Sequence, residues 1–259
     1  RKAKEQLTKA LKCKDSEILF TSGGTESDNM AIIGGCEANK RVGKHIITTK
    51  IEHHAILHTA EYLEKKGFEV TYLDVDEFGI INLDELEKAI RPDPILISIM
   101  AANNEIGSIQ PLAEIGKIAK AHNVLFHTDA VQAFGHIPIN VEEMNIDILS
   151  ASGHKFNGPK GVGIMYLRDT VKIGPFIHGG AQERGKRAGT HNTPGIVGFA
   201  KATELAAQNL EKNAAYEKEL QAYLVKRVLT EIPYTRLNGH PENRLTNNVN
   251  FRFRFVEGE

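Results

Sequence analysis

Short apolar runs of strand length alternate with amphipathic windows of helical length along most of this chain. The strand candidates are Ile18 to Thr21, His45 to Thr49, Glu69 to Leu73, Pro94 to Met100, Val124 to Thr128, Asp147 to Ala151 and Val162 to Leu167. Helical windows lie between them at Thr25 to Asn39, His54 to Lys66, Leu83 to Ile90 and Leu112 to His122. This alternation predicts an α/β fold with a mostly parallel, seven-stranded sheet sandwiched by helices. Asn82, with Glu85 three positions on, marks a helix start as a capping-box variant.

From about Pro194 to Ile232 the pattern becomes one long helical window, with apolar residues three and four apart. A helix of that length usually links two domains. Two strand-like runs follow, Tyr234 to Leu237 and Leu245 to Phe253, separated by NGHPEN. The expected division is a large domain over 1–193, a linking helix over 194–232 and the start of an incomplete small α/β domain over 233–259. The chain opens in a polar helical pattern without an initiator methionine and stops at VEGE after a strand-like run, so it is expected to be part of a longer protein.

Composition narrows the class. At 259 residues, 41% hydrophobic and a net charge of -1, the sequence reads as a soluble globular protein with a sizeable core. The near-neutral balance gives no electrostatic case for nucleic acid or a membrane surface as main partner. No apolar run is long enough to span a bilayer, and the first residues lack the apolar core of a signal peptide. Two cysteines, Cys13 and Cys36, are too few for a disulfide framework and lack metal-ligand spacing. The expected compartment is the cytoplasm.

Three polar motifs each follow an apolar run: TSGGTESDN at 21–29, HTDAVQAFG at 127–135 and SASGHKFNGPKGVG at 150–163. In one open α/β sheet such turns converge on the edge where ligands bind. The glycines before Thr25 and Glu26 let backbone approach an anion, and the following helix start favours a phosphate; a plain turn and N-cap reads equally from those residues. Asp129 ends an apolar run, where a carboxylate needs a partner such as a protonated heteroaromatic nitrogen, with Gln132 in reach of the same ligand. Taken alone, Asp129 reads better as a cap for its own helix. Lys155, on a turn of small residues, is either a solvated lysine or a reactive amine. KIEHHAIL carries His53 and His54 with the wrong spacing for one metal, and one ring stacking on a flat ligand is the simpler reading. AANNEIG offers Asn103 and Asn104, or else a capped turn. The glycine- and charge-rich stretch 178–192 either touches a ligand or another subunit, or is a flexible surface loop.

Together these parts supply a phosphate cradle, a carboxylate for a ring nitrogen, a stacking ring and a lysine able to form a Schiff base. Pyridoxal 5'-phosphate (PLP) needs that set. In this order and spacing TSGGTESDN, IEHHA, NNEIG, HTDAVQ, SGHKFNGPKG and HGGAQERGKRAGT resemble the cysteine desulfurases of the class V aminotransferase family, from about residue 15 to the end. The resemblance implies the large domain of a PLP-dependent transferase. It makes Lys155 the Schiff-base lysine and proton carrier, and Asp129 the partner of the pyridine nitrogen. Gln132 becomes the hydrogen bond to the ring hydroxyl, His53 the stacked imidazole, and Asn104 the asparagine near the ring hydroxyl and substrate carboxylate. Gly24, Thr25, Ser152 and His154 become the phosphate cup, and Thr190 the residue reaching the phosphate of a neighbouring subunit, hence a homodimer. Lys155 and His53 are the implied catalytic residues.

By the same resemblance the substrate is L-cysteine, the product L-alanine, and the sulfur passes as a persulfide to an acceptor such as an iron-sulfur scaffold or a tRNA-thiolation pathway. The family's catalytic cysteine lies in the small domain, beyond VEGE, as does a substrate-binding arginine, and neither Cys13 nor Cys36 aligns with that cysteine. The chain alone is therefore expected to hold PLP without completing sulfur transfer. The alternatives are a selenocysteine lyase or other class V β-lyase, and a non-catalytic PLP-fold domain that dimerises or binds a partner.

Overall fold

Strands in which apolar residues stand side by side, as in Ile46–Ile47 and Leu96–Ile97, bury both neighbours only in a sheet covered on both faces. The computed structural model, which describes residues 2–256, contains that sheet. In chain order its elements are α1 (Lys2–Leu11), β1 (Ile18–Thr21), α2 (Gly24–Asn39), β2 (His45–Thr49), α3 (His54–Glu64), β3 (Glu69–Leu73), α4 (Leu83–Ala89), β4 (Pro94–Ser98), α5 (Leu112–Ala121), β5 (Leu125–Asp129), β6 (Ile148–Ser152), β7 (Gly163–Leu167), α6 (Thr193–Glu231), β8 (Thr235–Leu237) and β9 (Phe251–Phe253). The first seven strands form one sheet in the order β1-β7-β6-β5-β4-β2-β3. Only β7 is antiparallel to its neighbours, β1 and β6; the other pairs are parallel. β1, β2, β4, β5 and β6 therefore all end at one edge.

Successive residues along each strand enter opposite layers. Ile18, Phe20, Ile47, Ile97 and Leu149 pack with Leu7 and Leu11 of α1, Ile115 of α5 and Phe199 of α6. Their chain neighbours Ile46 and Leu96 pack with Ile32 of α2 and with Ile56 and Leu63 of α3, while Leu19 and Ile148 pack with Met30 of α2. A slip of one residue would exchange the two sets, so register is strongly specified. Each such side chain contributes about 1.5–3 kcal/mol on burial.

The strand windows are met to within one or two residues: β4 stops at Ser98, and β5 and β6 each sit one residue later than the apolar runs suggest. At the start of α4, Asn82 Oδ1 accepts from the amides of Asp84 and Glu85 at 2.9 and 3.2 Å. α6 opens on Asn192, which accepts from Gly195 N, with Pro194 in the first turn, where its missing N–H costs nothing.

One expectation is corrected. The run Leu245 to Phe253 is strand only over Phe251–Phe253, which pairs antiparallel with β8. Its earlier part is held by the loop after β4 instead: Leu245 N donates to Gly107 O at 2.9 Å, and Asn248 Nδ2 to Glu105 O at 3.1 Å. The buried Arg244 guanidinium donates to Asn238 O and Asn248 Oδ1 at 3.0 and 3.1 Å.

Candidate active site

The ends of the parallel strands enclose a cavity of about 250 Å³. α2 lends it Gly24, Thr25 and Asp28; the turn before α3 lends His53; the segment after β4 lends Met100, Ala102 and Asn104. β5 and its following turn supply Asp129, Val131 and Gln132, and the end of β6 supplies Ser152, His154 and Lys155. Nine of the ten residues to which the resemblance gives a site role thus lie around one space. Thr190 is the exception: it is exposed and does not line the cavity of its own chain.

One end of the cavity is built from backbone. Gly23 has φ +155°, a conformation L side chains rarely adopt, and caps α2 without a side-chain hydrogen bond. A Cβ on Gly24 would lie 2.6 Å from Val131 Cγ2. The first-turn amides of α2 have no intrahelical acceptors and carry the positive end of the helix dipole. Beside them Ser152 Oγ and His154 Nδ1 are 3.0 Å apart and hydrogen-bonded.

At the floor stands Asp129, 6% exposed. Oδ1 accepts from Val131 N at 2.8 Å, but β5 runs on into a turn and then β6 with no helix between, so the reading of Asp129 as the cap of its own helix is corrected: one oxygen closes a turn. The other makes no hydrogen bond among the described residues. Burial pushes this carboxyl above its ordinary range, with the Val131 amide, His53 and Lys155 pulling it back. Asn103 is the capped turn: its Oδ1 accepts from Glu105 N and Ile106 N, both at 2.9 Å, which leaves Asn104 as the asparagine in the cavity. His53 Nδ1 accepts from Ala55 N at 3.1 Å, capping α3 and fixing the ring beside the cavity.

Lys155 sits on a 3₁₀ turn, Gly153–Phe156, closed by Asn157 at φ +67° and by Gly158 N donating to Gly153 O at 2.8 Å. The next residue, Phe156, anchors this turn. Its ring meets Phe199 edge-on at 5.1 Å and Phe134 at 5.2 Å. His136 Nε2 donates to Lys155 O at 3.0 Å.

Three buried polar residues around the site were not picked out in the sequence. Asp28 lines the cavity, Glu52 precedes His53, and His127 lies two residues before Asp129 on the same strand face. Burial raises the Glu52 carboxyl to about 8 and lowers the His127 imidazole to about 3. Spacing carried a signal: Asp28 falls one helical turn after Gly24, and His127 one strand repeat before Asp129.

The loop 178–192 is anchored, not free. Arg187 Nε and Nη2 donate to the two oxygens of Glu26 at 2.8 and 3.2 Å, and the buried Glu183 accepts from His191 Nε2 at 2.7 Å. The cysteines lie elsewhere. Burial pushes both Cys13 and Cys36 up to about 12, and neither lines the cavity.

The donor set fits PLP. A buried carboxylate with one oxygen unused suits a protonated ring nitrogen, and a cradle that a Cβ at Gly24 would crowd suits a phosphate against bare amides.

Comparison with known proteins bears on the family and the fold. The aminotransferase class-V family profile matches residues 1–259. Cysteine desulfurase IscS of Methanosarcina thermophila is 59% identical over 257 residues, covering 99% of this chain and 63% of that protein. IscS of Dictyoglomus turgidum is 56% identical over 257 residues, covering 99% of this chain and 65% of its own length. A solved NifS-like protein superposes with a TM-score of 0.95 at 45% identity, covering 98% of this chain and 70% of the other. The chain thus spans less than two thirds of these two curated relatives.

Proposed function

The chain belongs to the class-V aminotransferase family, and from that premise we propose that its cavity holds PLP for the removal of sulfur from L-cysteine. The observation that carries this reading is the meeting of Lys155, Asp129 and the α2 N-terminus around one small cavity. The relatives named above are cysteine desulfurases, which favours cysteine as substrate.

When bound, the cofactor supplies an aldehyde that takes up an amine and a protonated ring that accepts electrons from the substrate. In this proposal Lys155 Nζ would hold the cofactor through its aldehyde and, once the substrate amine displaces it, would carry protons to and from the substrate. Asp129 holds the proton on the ring nitrogen, and burial strengthens that pairing. His53, with Nδ1 engaged by the Ala55 amide, carries its proton on Nε2 when neutral and covers the ring. Gln132 and Asn104 orient the ring hydroxyl and the substrate. The first-turn amides of α2, with Thr25, Ser152 and His154, bind the phosphate, and Thr190 reaches the site of a second copy in a homodimer.

In the whole protein a cysteine thiol, which neither Cys13 nor Cys36 supplies at this cavity, would attack the substrate sulfur, so that the C–S bond breaks, alanine is released and the resulting persulfide passes its outer sulfur to an acceptor protein of iron-sulfur cluster assembly. Because neither Cys13 nor Cys36 lines the cavity, we propose that this chain alone binds the cofactor without transferring sulfur. The large domain 1–193, linking helix 194–232 and small-domain start 233–259 belong to the same proposal. So does a cytoplasmic location; among the described residues no helix is long and apolar enough to cross a membrane.

The test is to load the protein with PLP, reduce with borohydride and sequence its peptides by mass spectrometry. The phosphopyridoxyl adduct is expected on Lys155; adducts elsewhere with Lys155 unmodified would overturn the reading.

A further inference from the structure

We infer that Asp28 is a positioning residue for Asp129: of these two neighbouring buried carboxyl groups Asp28 holds a proton, which leaves Asp129 as the single negative charge at the cavity floor. The inference rests on the proposed function, in which Asp129 is the partner of the cofactor's ring nitrogen.

Asp28 is 1% exposed, on the face of α2 that packs over β5 and β6. Its Oδ1 has no hydrogen-bond partner among the described residues. The nearest nitrogen that titrates is His127 Nε2, at 3.7 Å. That ring is already engaged by two serines, with Nδ1 2.8 Å from Ser98 Oγ and Nε2 3.1 Å from Ser150 Oγ. Fully buried, His127 stays neutral, so it offers Asp28 no positive charge.

Two carboxylates in one dry site cannot both ionise cheaply, and the proton goes to the one with fewer compensating groups. Asp129 has the Val131 amide and the nearby Lys155 and His53. Asp28 has a hydrogen bond from Ser150 and faces two further carboxyl groups, Asp129 from β5 and Glu52 from the turn after β2. Glu52 brings no positive charge to offset it: Oε1 accepts from Thr49 Oγ1 at 2.7 Å and Met100 N at 3.0 Å, and Oε2 has no hydrogen-bond partner among the described residues. Burial, with Asp129 next, accordingly holds Asp28 well above the usual carboxylate range.

The test uses the cofactor-free protein labelled with ¹³C-aspartate, so that Glu52 does not contribute. At neutral pH the infrared carbonyl band of a protonated aspartic acid is expected in the parent, retained in Asp129→Asn and lost in Asp28→Asn. A band absent from the parent, or lost in Asp129→Asn and retained in Asp28→Asn, would overturn the assignment. Urea unfolding across pH gives a second readout. A carboxyl raised in the folded state stabilises fully below its unfolded value, about 3.9, and that stability is lost as pH rises towards the folded value. The ratio of folding constants, Asp28→Asn over parent, should therefore grow about tenfold per pH unit above about pH 4. A ratio flat across pH, the signature of a purely structural asparagine effect, would overturn it. Neither readout requires PLP, so a failure of Lys155 to take up the cofactor would count against the proposed function alone.

Discussion

Replacing Phe199 by alanine should unfasten the turn that carries Lys155. The ring is fully buried between α6 and the sheet, edge-on to Phe156 at 5.1 Å and 89° and roughly parallel to Phe134 at 6.2 Å and 26°. It also lies against the turn's backbone, since a Cβ on Gly153 would sit 2.9 Å from Phe199 Cδ2. Truncating a core phenylalanine costs about 3–5 kcal/mol, transfer and cavity terms together, which is roughly a hundredfold to several-thousandfold in the folding constant. Urea denaturation should show the midpoint falling at unchanged slope. Tyr223→Ala, on the exposed part of the same helix, is the control and should stay within about 0.5 kcal/mol. Reduced-adduct yield at Lys155 should fall in Phe199→Ala under conditions where the protein is still folded. A loss below about 1 kcal/mol, or equal to that of Tyr223→Ala, would refute the claim that this aromatic cluster supports the lysine turn.

Other expectations follow from the same geometry. Gly24→Ala places a Cβ 2.6 Å from Val131 Cγ2, and overpacking of about 1–3 kcal/mol should weaken PLP binding about tenfold, with partial rescue by Val131→Ala in a fluorescence titration. Cys36, held up to about 12 by burial and then by Glu37, carries roughly a thousandfold less thiolate at pH 8 than a free cysteine, so iodoacetamide should modify it slowly and faster by tenfold per pH unit up to pH 10. Glu26 is raised by burial but lowered more by the Arg187 and Ser22 hydrogen bonds, for a net depression. Its stabilisation is present above about pH 4.3 and lost as pH falls through the folded value, so acid proteolysis of the loop 178–192 should accelerate there; Glu26→Gln should be fast at every pH. Supplied with cysteine and PLP, the chain alone should release no sulfide beyond free PLP in a methylene blue assay.

The sheet was legible because every strand but the half-exposed edge strand β3 is buried on both faces, which leaves adjacent apolar residues such as Ile46–Ile47 or Leu96–Ile97. The last segment was less so. Leu245 is apolar for a different reason: it packs in the main core while its amide serves Gly107 O, a tertiary contact no local pattern announces. Around the site, residues on turns stood out against apolar neighbours, as Lys155 and Asp129 do. Asp28, Glu52 and His127 did not, because a lone polar residue in a helix, a turn or a strand reads as surface until its neighbours are known. All three are buried, and burial, which dominates the shift of each, is a tertiary property contributed by three segments of chain. Likewise Asn103 and Asn104 are equivalent by local pattern, and only the family resemblance separated them; the turn geometry makes the first a cap and the second a cavity residue.

The central claim is that Lys155 and Asp129 hold one PLP between them, and a crystal structure of the protein soaked with PLP tests it most directly. The expected result is continuous density from Lys155 Nζ to the cofactor, with the ring nitrogen within hydrogen-bond distance of Asp129, about 2.7–3.2 Å, and the phosphate on the first-turn amides of α2. A cofactor bound elsewhere, or bound in this cavity with its ring nitrogen turned away from Asp129, would contradict the account.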